Sequence, residues 1–231
     1  FLDKTINVPF FKIPSGEIHS LDMIDYVSKK KKPILFSTGM STFSEIKKTF
    51  QRLTRYGNND VTILHCVSSY PAKDNYLNLN IIDELRKNFK TKIGYSDHSI
   101  GDVACIAAVA KGVSVIEKHV TLSRSLAGPD HKASITLKGF KNLVKKIRKL
   151  ETILGSGTKR FSSDEINIKR VARKSLVTNK VIKKGSRLKI SDIVFKRPGT
   201  GISPLDTKKV LGKKLIINKK KNKVIFSEEL E

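Results

Sequence analysis

From Lys92 to His119 the chain reads KIGYSDHSIGDVACIAAVAKGVSVIEKH. Two short runs, Lys92-Ile93-Gly94-Tyr95 and Val113 to Glu117, have the apolar and β-branched texture of strands. Between them an Ala-rich stretch, about Asp102 to Lys111, has a helical pattern. Strand–helix–strand is the repeating unit of a parallel sheet, because parallel neighbours need a crossover between them. The same unit recurs upstream. Strands are predicted at Phe10–Ile13, Pro33–Ser37 and Val61–His65, and helices at Leu21–Ser28, Ser41–Arg55 and Leu79–Phe89. Ser41 or Thr42 is the expected N-cap of the second helix, with Glu45 as its capping-box partner. A helix over Leu137–Leu154 closes a series of five βα units, read as an α/β layer with helices covering a parallel sheet.

From about Gly155 to Arg170 the texture turns polar, and after Val171 short β-branched segments alternate with turns at Lys184-Gly185-Ser186 and Pro198-Gly199-Thr200-Gly201. The expected organisation is a first domain over 1–155, a linker over 156–170 with a short helix near Ser163–Lys169, and a small second domain over 171–231. A domain that small cannot bury a large core alone. The 231 residues are 39% hydrophobic and contain no Trp, an ordinary globular composition. The longest apolar run, Val103–Ala110, is far too short to span a bilayer. Cys66 and Cys105 form no disulfide framework and are read as reduced core residues of a cytoplasmic protein. The chain starts Phe-Leu-Asp-Lys, without an initiator Met or a signal-peptide pattern, so Phe1 is not expected to be a natural start.

The net charge of +25 raises nucleic acid as a partner. The excess is mainly Lys, spread along the chain: from Val171 on, 17 Lys and Arg stand against 5 Asp and Glu. Runs such as Lys29–Lys32 and Lys219–Lys221 have no interleaved aromatics, so solvated faces and attraction of a small anionic substrate are the preferred readings. Gly199-Thr200-Gly201 lacks a third Gly and opens no helix, and no Walker motif or nucleophile elbow is present.

Chemically capable residues gather at the predicted C-terminal ends of the strands, where parallel α/β proteins build their sites. His98 and His119 are 21 residues apart, about one βα unit. On neighbouring strands they would stand roughly 5 Å apart, close enough to share a divalent metal. Asp97 and Glu117 beside them could orient the ligands; the alternative is that each His is an isolated core residue. Lys12, Ser15, Ser37, Ser68, Tyr70 and Ser96 combine one cation with several hydroxyls, a reasonable phosphate or carboxylate pocket, although any single Ser is more often a turn or cap. Gly128-Pro129-Asp130 would ordinarily be a turn, but its place after the fifth strand makes Asp130 a candidate for substrate hydroxyls. His19 is read as an exposed loop residue and His65 as buried.

Lys-Ile-Pro-Ser-Gly-Glu at 12–17, Ser-Thr-Gly-Met at 37–40, Gly-Tyr-Ser-Asp-His at 94–98, Glu-Lys-His at 117–119 and Gly-Pro-Asp-His-Lys-Ala-Ser at 128–134 together resemble the sialic acid synthase family. His-Cys with Tyr-Pro at 65–71 fits as well. Ala-Arg-Lys-Ser-Leu at 172–176 and Lys-Arg-Pro-Gly-Thr-Gly-Ile at 196–202 resemble that family's SAF, or antifreeze-like, domain. The resemblance implies a partial TIM (β/α)8 barrel, its last five βα units, followed by a small β-rich SAF domain of the β-clip type. It implies condensation of phosphoenolpyruvate with N-acetylmannosamine or a related N-acetylated hexosamine to a nonulosonic acid. His98 and His119 would bind Mn2+ or Mg2+. Lys12, Ser15, Ser37, Ser68, Tyr70 and Ser96 would hold phosphoenolpyruvate, with Ser68 at a position where some members use Asn. Glu17 and Asp130 would be catalytic and bind the sugar, and Arg197 would reach its N-acetyl group from a homodimer partner's SAF domain. Ser15-Gly16-Glu17 is closer to the neuraminate and legionaminate branch than to the pseudaminate branch. Five units do not close a barrel, so weak or no activity is expected of the 231 residues alone. The alternative from another class is a non-catalytic basic module that binds carbohydrate or polyanions.

Overall fold

Strand order decides the architecture of the first unit. The computed structural model describes residues 2–231, which fall into two compact units, one ending at Gly157 and one over Thr158–Glu231. In the first, β1 (Phe11–Ile13), β2 (Ile34–Ser37), β3 (Val61–Cys66), β4 (Lys92–Asp97) and β5 (Val115–Lys118) form one sheet in the order β1-β2-β3-β4-β5, every pair parallel. A doubly wound sheet would reverse its order at a switch point. Strictly sequential order is the arrangement of a (β/α) barrel wall. The intervening helices are α1 (Leu21–Ser28), α2 (Phe43–Thr54), α3 (Ile81–Phe89) and α4 (Val103–Ala110), with α5 (Leu137–Leu154) after the fifth strand.

The two faces of this sheet differ in chemistry. Phe11, Ile13, Ile34, Phe36, Val61, Ile63, Ile93 and Tyr95 belong to one core with Ile24 and Val27 of α1, Ile46 and Leu53 of α2, Ile82 and Leu85 of α3 and Ala104 and Ala108 of α4. Side chains alternate along a strand, so the intervening residues share the opposite face. Register aligns Lys12 with Leu35, Cys66 with Ser96, and Ser96 with Glu117 on that face. It tolerates no bulk at Gly94, where a Cβ would lie 2.1 Å from a Leu64 methyl and 2.9 Å from the Val115 carbonyl.

Local signals explain most boundaries. Thr42 caps α2, and its reciprocal pair with Glu45 completes the capping box. The third helix starts at Ile81 rather than Leu79, and a separate 3-10 turn, Asp74–Tyr76, lies upstream of it. The fifth strand starts at Val115 rather than Val113. Pattern reading missed two short strands, β6 (Val120–Thr121) and β7 (Ile135–Thr136), which pair in parallel and bracket the loop carrying Gly128-Pro129-Asp130.

In the second unit, α6 runs over Ser163–Ala172 with its own capping box, Ser162 and Glu165, so the short helix expected near Ser163–Lys169 extends to Ala172. β8 (Ser175–Thr178) and β9 (Ile193–Lys196) pair antiparallel, and α7 spans Thr207–Val210. Isolated bridges such as Ile182 to Lys219 and Leu215 to Leu230 tie the remaining loops together. The core is small, built on Leu176, Ile182, Leu188, Ile193, Val210, Leu215 and Ile225. Buried Asp192 anchors one loop. Burial works to raise its carboxyl, but Lys180 at 2.8 Å and the Lys189 N–H bring it below its ordinary value. A lowered carboxyl contributes stability above its unfolded value of about 3.9, and the contribution is lost as pH falls through the lower folded value. Asp192→Asn is therefore expected to lower the melting temperature at neutral pH and to flatten its fall in acid. Melts between about pH 2 and pH 6 check this; a variant whose acid slope matches the parent's would contradict it.

Candidate active site

The polar face of the sheet ends in a cleft of about 480 Å³, lined by Lys12, Ser15, Ser37, Cys66, Ser68, Tyr70, Ser96, His98, Glu117 and His119 among others. Six residues expected at a phosphate or carboxylate pocket thus converge with the two histidines. Lys12 projects from β1, and Ser96 and Glu117 come from β4 and β5 at paired register. Ser15 accepts the Gly39 N–H at 2.9 Å, which ties the turn after β1 to the turn after β2. A Cβ at Gly39 would stand 2.1 Å from Ser68 Oγ and 2.9 Å from Ser15 Oγ, so only glycine lets these hydroxyls close in. The Ser37 hydroxyl is buried and has no hydrogen-bond partner among the described residues. An unpartnered buried hydroxyl costs free energy unless something else supplies the bond.

His98 and His119 have ring centroids 5.4 Å apart, and Tyr70 packs 4.1 Å from His98 and 5.4 Å from His119. His98 Nδ1 lies 2.8 Å from the Val67 carbonyl. A carbonyl only accepts, so Nδ1–H donates, and in the neutral ring the lone pair is on Nε2. This is the arrangement of a metal-ligating imidazole with its other nitrogen anchored. The donor chemistry therefore fits a divalent cation, with most coordination positions left to substrate and water. Among the described residues no third His, Cys, Asp or Glu joins the pair in a metal-binding group.

Two expected neighbours behave differently. Asp97 does not orient either histidine. The residue next to His98 along the strand faces the helices, and there the Asp97 carboxylate pairs with Lys118 at 2.6 Å, with the Cys105 thiol at 3.0 Å. Burial would raise this carboxyl, yet those contacts hold it below its ordinary value. Glu117 faces the cleft but engages Ser96 at 2.8 Å and Lys12 at 3.3 Å, not a histidine. It partly neutralises the Lys12 charge. Neither role is legible from sequence adjacency, although the period of two along a strand would have separated Asp97 from His98. Cys66, read as plain core, is buried yet lines the cleft, 3.8 Å from His98 Nδ1, and burial pushes its thiol up.

Of the remaining candidates in the first unit, neither Glu17 nor Asp130 lines the cleft. Glu17 is exposed and accepts from the Ser20 hydroxyl. Asp130 is half exposed, with its carboxylate 3.9 Å from His119 Nδ1. Arg197 belongs to the second unit, where its Nε donates to the Ala172 carbonyl at 2.8 Å. His65 is buried on the helix face against the Leu77 carbonyl, and burial lowers its pKa. His19 is exposed. A somewhat larger groove, about 550 Å³, lies between α1 and α2, but its Arg52 is taken by Asp25 and its Glu45 by the α2 cap.

A sequential parallel β/α wall with a polar cleft at its strand ends, followed by a small bridge-laced unit, defines the class: a β/α-barrel-type synthase fold with an appended SAF domain. Residues 1–159 match the NeuB family and residues 173–231 match the SAF domain, and the chain belongs to the NeuB family. It is 40% identical to the N,N'-diacetyllegionaminic acid synthase of Campylobacter jejuni, over 95% of this chain and 66% of that protein. It is 36% identical to the pseudaminic acid synthase of Helicobacter pylori, over 99% of this chain and 67% of that protein. Among solved structures, the N-acetylneuraminic acid (sialic acid) synthetase of Leptospira borgpetersenii in complex with citrate matches at a TM-score of 0.67 and 33% identity, over 71% of this chain and 57% of that one. The chain spans about two thirds of the length of the curated relatives it matches. Among the described residues no helix is long and apolar enough to cross a membrane.

Proposed function

We propose that this protein condenses phosphoenolpyruvate with N-acetylmannosamine or a related 2,4-diacetamido hexose, giving a nonulosonic acid and phosphate. The relatives' activities support the reaction class. The observation that carries it is the buried, unpartnered Ser37 hydroxyl in a cleft where Lys12, Ser15, Ser68, Tyr70 and Ser96 also converge. That set suits a small dianion, with one cation and several donors. In this reading C3 of phosphoenolpyruvate attacks the open-chain sugar's aldehyde carbon. Water then adds at C2, and phosphate departs by C–O cleavage. Lys12 and the hydroxyls hold the phosphate and carboxylate, while Glu17 and Asp130 bind sugar hydroxyls and move protons. When bound by His98 and His119, a divalent cation, Mn2+ or Mg2+, supplies Lewis acidity for a carbonyl oxygen. Anchoring of His98 by Val67 keeps its Nε2 lone pair directed without further reorganisation.

The protein, in this reading, is a cytoplasmic homodimer in which the SAF domain of one subunit covers the other's site and Arg197 meets the N-acetyl group. Light scattering tests the dimer, and a monomer at working concentration would remove that part. The pseudaminate branch is the second reading, favoured by 36% identity to the Helicobacter pylori enzyme. The protein offered each hexosamine with phosphoenolpyruvate and Mn2+ distinguishes them, with phosphate release and the mass of the sugar acid as readouts. Release that needs all three components supports synthesis, and the preferred hexosamine assigns the branch. Absence of phosphoenolpyruvate binding by calorimetry would rule the reaction out. Gly39→Ala is expected to push Ser68 and Ser15 apart and weaken phosphoenolpyruvate binding roughly tenfold, about one hydrogen bond to a charged group, with little change in melting. Unchanged binding would remove Ser15 and Ser68 from the pocket.

A further inference from the structure

Behind the two histidines, on the helix face of the sheet, lies a charged pair that the cleft chemistry does not use. Asp97 and Lys118 occupy paired register positions on β4 and β5, each immediately before one of the histidines. Their side chains are 0% and 1% exposed and meet at 2.6 Å. Lys118 also donates to the Ser99 carbonyl at 2.8 Å. Asp97 accepts from the Ser99 N–H at 2.9 Å, the Tyr95 hydroxyl at 3.1 Å and the Cys105 thiol at 3.0 Å. The same face carries Tyr95 of β4 and, from α4, Ala104 and Ala108 of the apolar core.

A buried ion pair is poor value as a stabiliser, because desolvation offsets most of its Coulombic gain and apolar residues of similar volume often do as well. Its clearest use is to specify register. Register matters here more than anywhere else in the sheet. A slip of one residue between β4 and β5 would carry His119 to the helix face. Even a partial shift would change the separation of two imidazoles that must meet one ion. β5 is also the least buried of the five strands, so apolar packing pins it least.

Resting on the metal reading above, we propose that Asp97 and Lys118 are positioning residues, a buried clamp that holds β4 and β5 in the register that brings His98 and His119 together. The clamp acts through strand pairing. It touches neither substrate nor imidazole.

The test is Asp97→Asn with Lys118→Met in the intact protein. This removes both charges, keeps the volume close, and leaves an amide for Ser99 and Tyr95. Two readouts are taken. In protein labelled at histidine, the nuclear Overhauser contact between the His98 and His119 rings reports their spacing without metal. Mn2+ titration followed by electron paramagnetic resonance reports the ion. The expected result is a folded variant in which the ring contact is lost or strongly weakened and Mn2+ affinity falls tenfold or more, in the range for residues that orient metal ligands. A folded variant that keeps the ring contact and binds Mn2+ within about twofold of the parent overturns the clamp, since a merely structural pair would lower only the melting temperature. If the parent binds no Mn2+ but the variant still loses the ring contact, the clamp stands and the metal reading fails. If the double variant does not fold, Lys118→Arg replaces it. Arg keeps the charge but puts a bulkier head in a sealed site, and it is expected to weaken both readouts partially; parent-like values for both overturn the proposal.

Discussion

His98→Ala is expected to abolish metal-dependent turnover and to lower Mn2+ affinity more than roughly 100-fold, beyond the 10–100-fold range typical of residues that only orient a ligand. With two imidazoles as the strongest donors in the cleft, losing one leaves the ion with too few protein contacts to compete with water. The fold should survive. His98 follows the end of β4, packed at a tilt against Tyr70 and joined to the Val67 carbonyl, and the apolar core lies on the other face. The informative contrast is His65→Ala. This ring is on the helix face, 5.8 Å from Tyr95, and its loss should lower the melting temperature and leave Mn2+ binding alone. Titration of both variants by electron paramagnetic resonance, with thermal melts, checks the pair. Equal Mn2+ binding by the His98 variant and the parent would remove the histidine pair from the mechanism.

Lys12→Met is the second large effect. The methionine keeps the length of the side chain and removes its charge, the one cation among the described residues that line the cleft. A hydrogen bond to a charged partner is worth roughly 1.5–3 kcal/mol, which corresponds to about a 10–100-fold rise in the dissociation constant for phosphoenolpyruvate. Glu117 then loses its counter-charge at 3.3 Å. That carboxylate is 41% exposed and still bonded to Ser96, so stability should change little. Freed Glu117 also repels the incoming anion, which pushes the result toward the upper end of the range. Calorimetry with phosphoenolpyruvate alone isolates the effect from chemistry. A dissociation constant within twofold of the parent would place the phosphate elsewhere.

Much of the fold was readable along the chain because its signals are local. Leu21–Ser28 and Leu137–Leu154 are helices over the predicted residues, and Thr42 with Glu45 announces the start of α2. Continuous apolar strands at βα spacing sufficed for a parallel sheet. The short β6–β7 pair was not readable: two-residue strands have no period to detect, and only the return of the chain to Val120 creates the pairing. The second unit was readable as β-rich from its β-branched segments, while which of them meet, in the β8–β9 pair or through single bridges, was not.

What the sequence by itself determined is the class of fold and the residue types at the strand ends, since capping, periodicity and the polar tips are written within a few positions of one another. It also held the family motifs in order. Which side of the sheet each residue faces, and what it meets there, only the tertiary structure decided. Asp97 and His98 are neighbours in the chain and lie on opposite faces. Lys12 and Glu117 are more than a hundred positions apart and form an ion pair. Cys66 sits in the cleft, not in the apolar layer. The physical reason is that strand pairing sets these contacts through register, and register is fixed by the packing of five strands against their helices together, a quantity that no single segment carries.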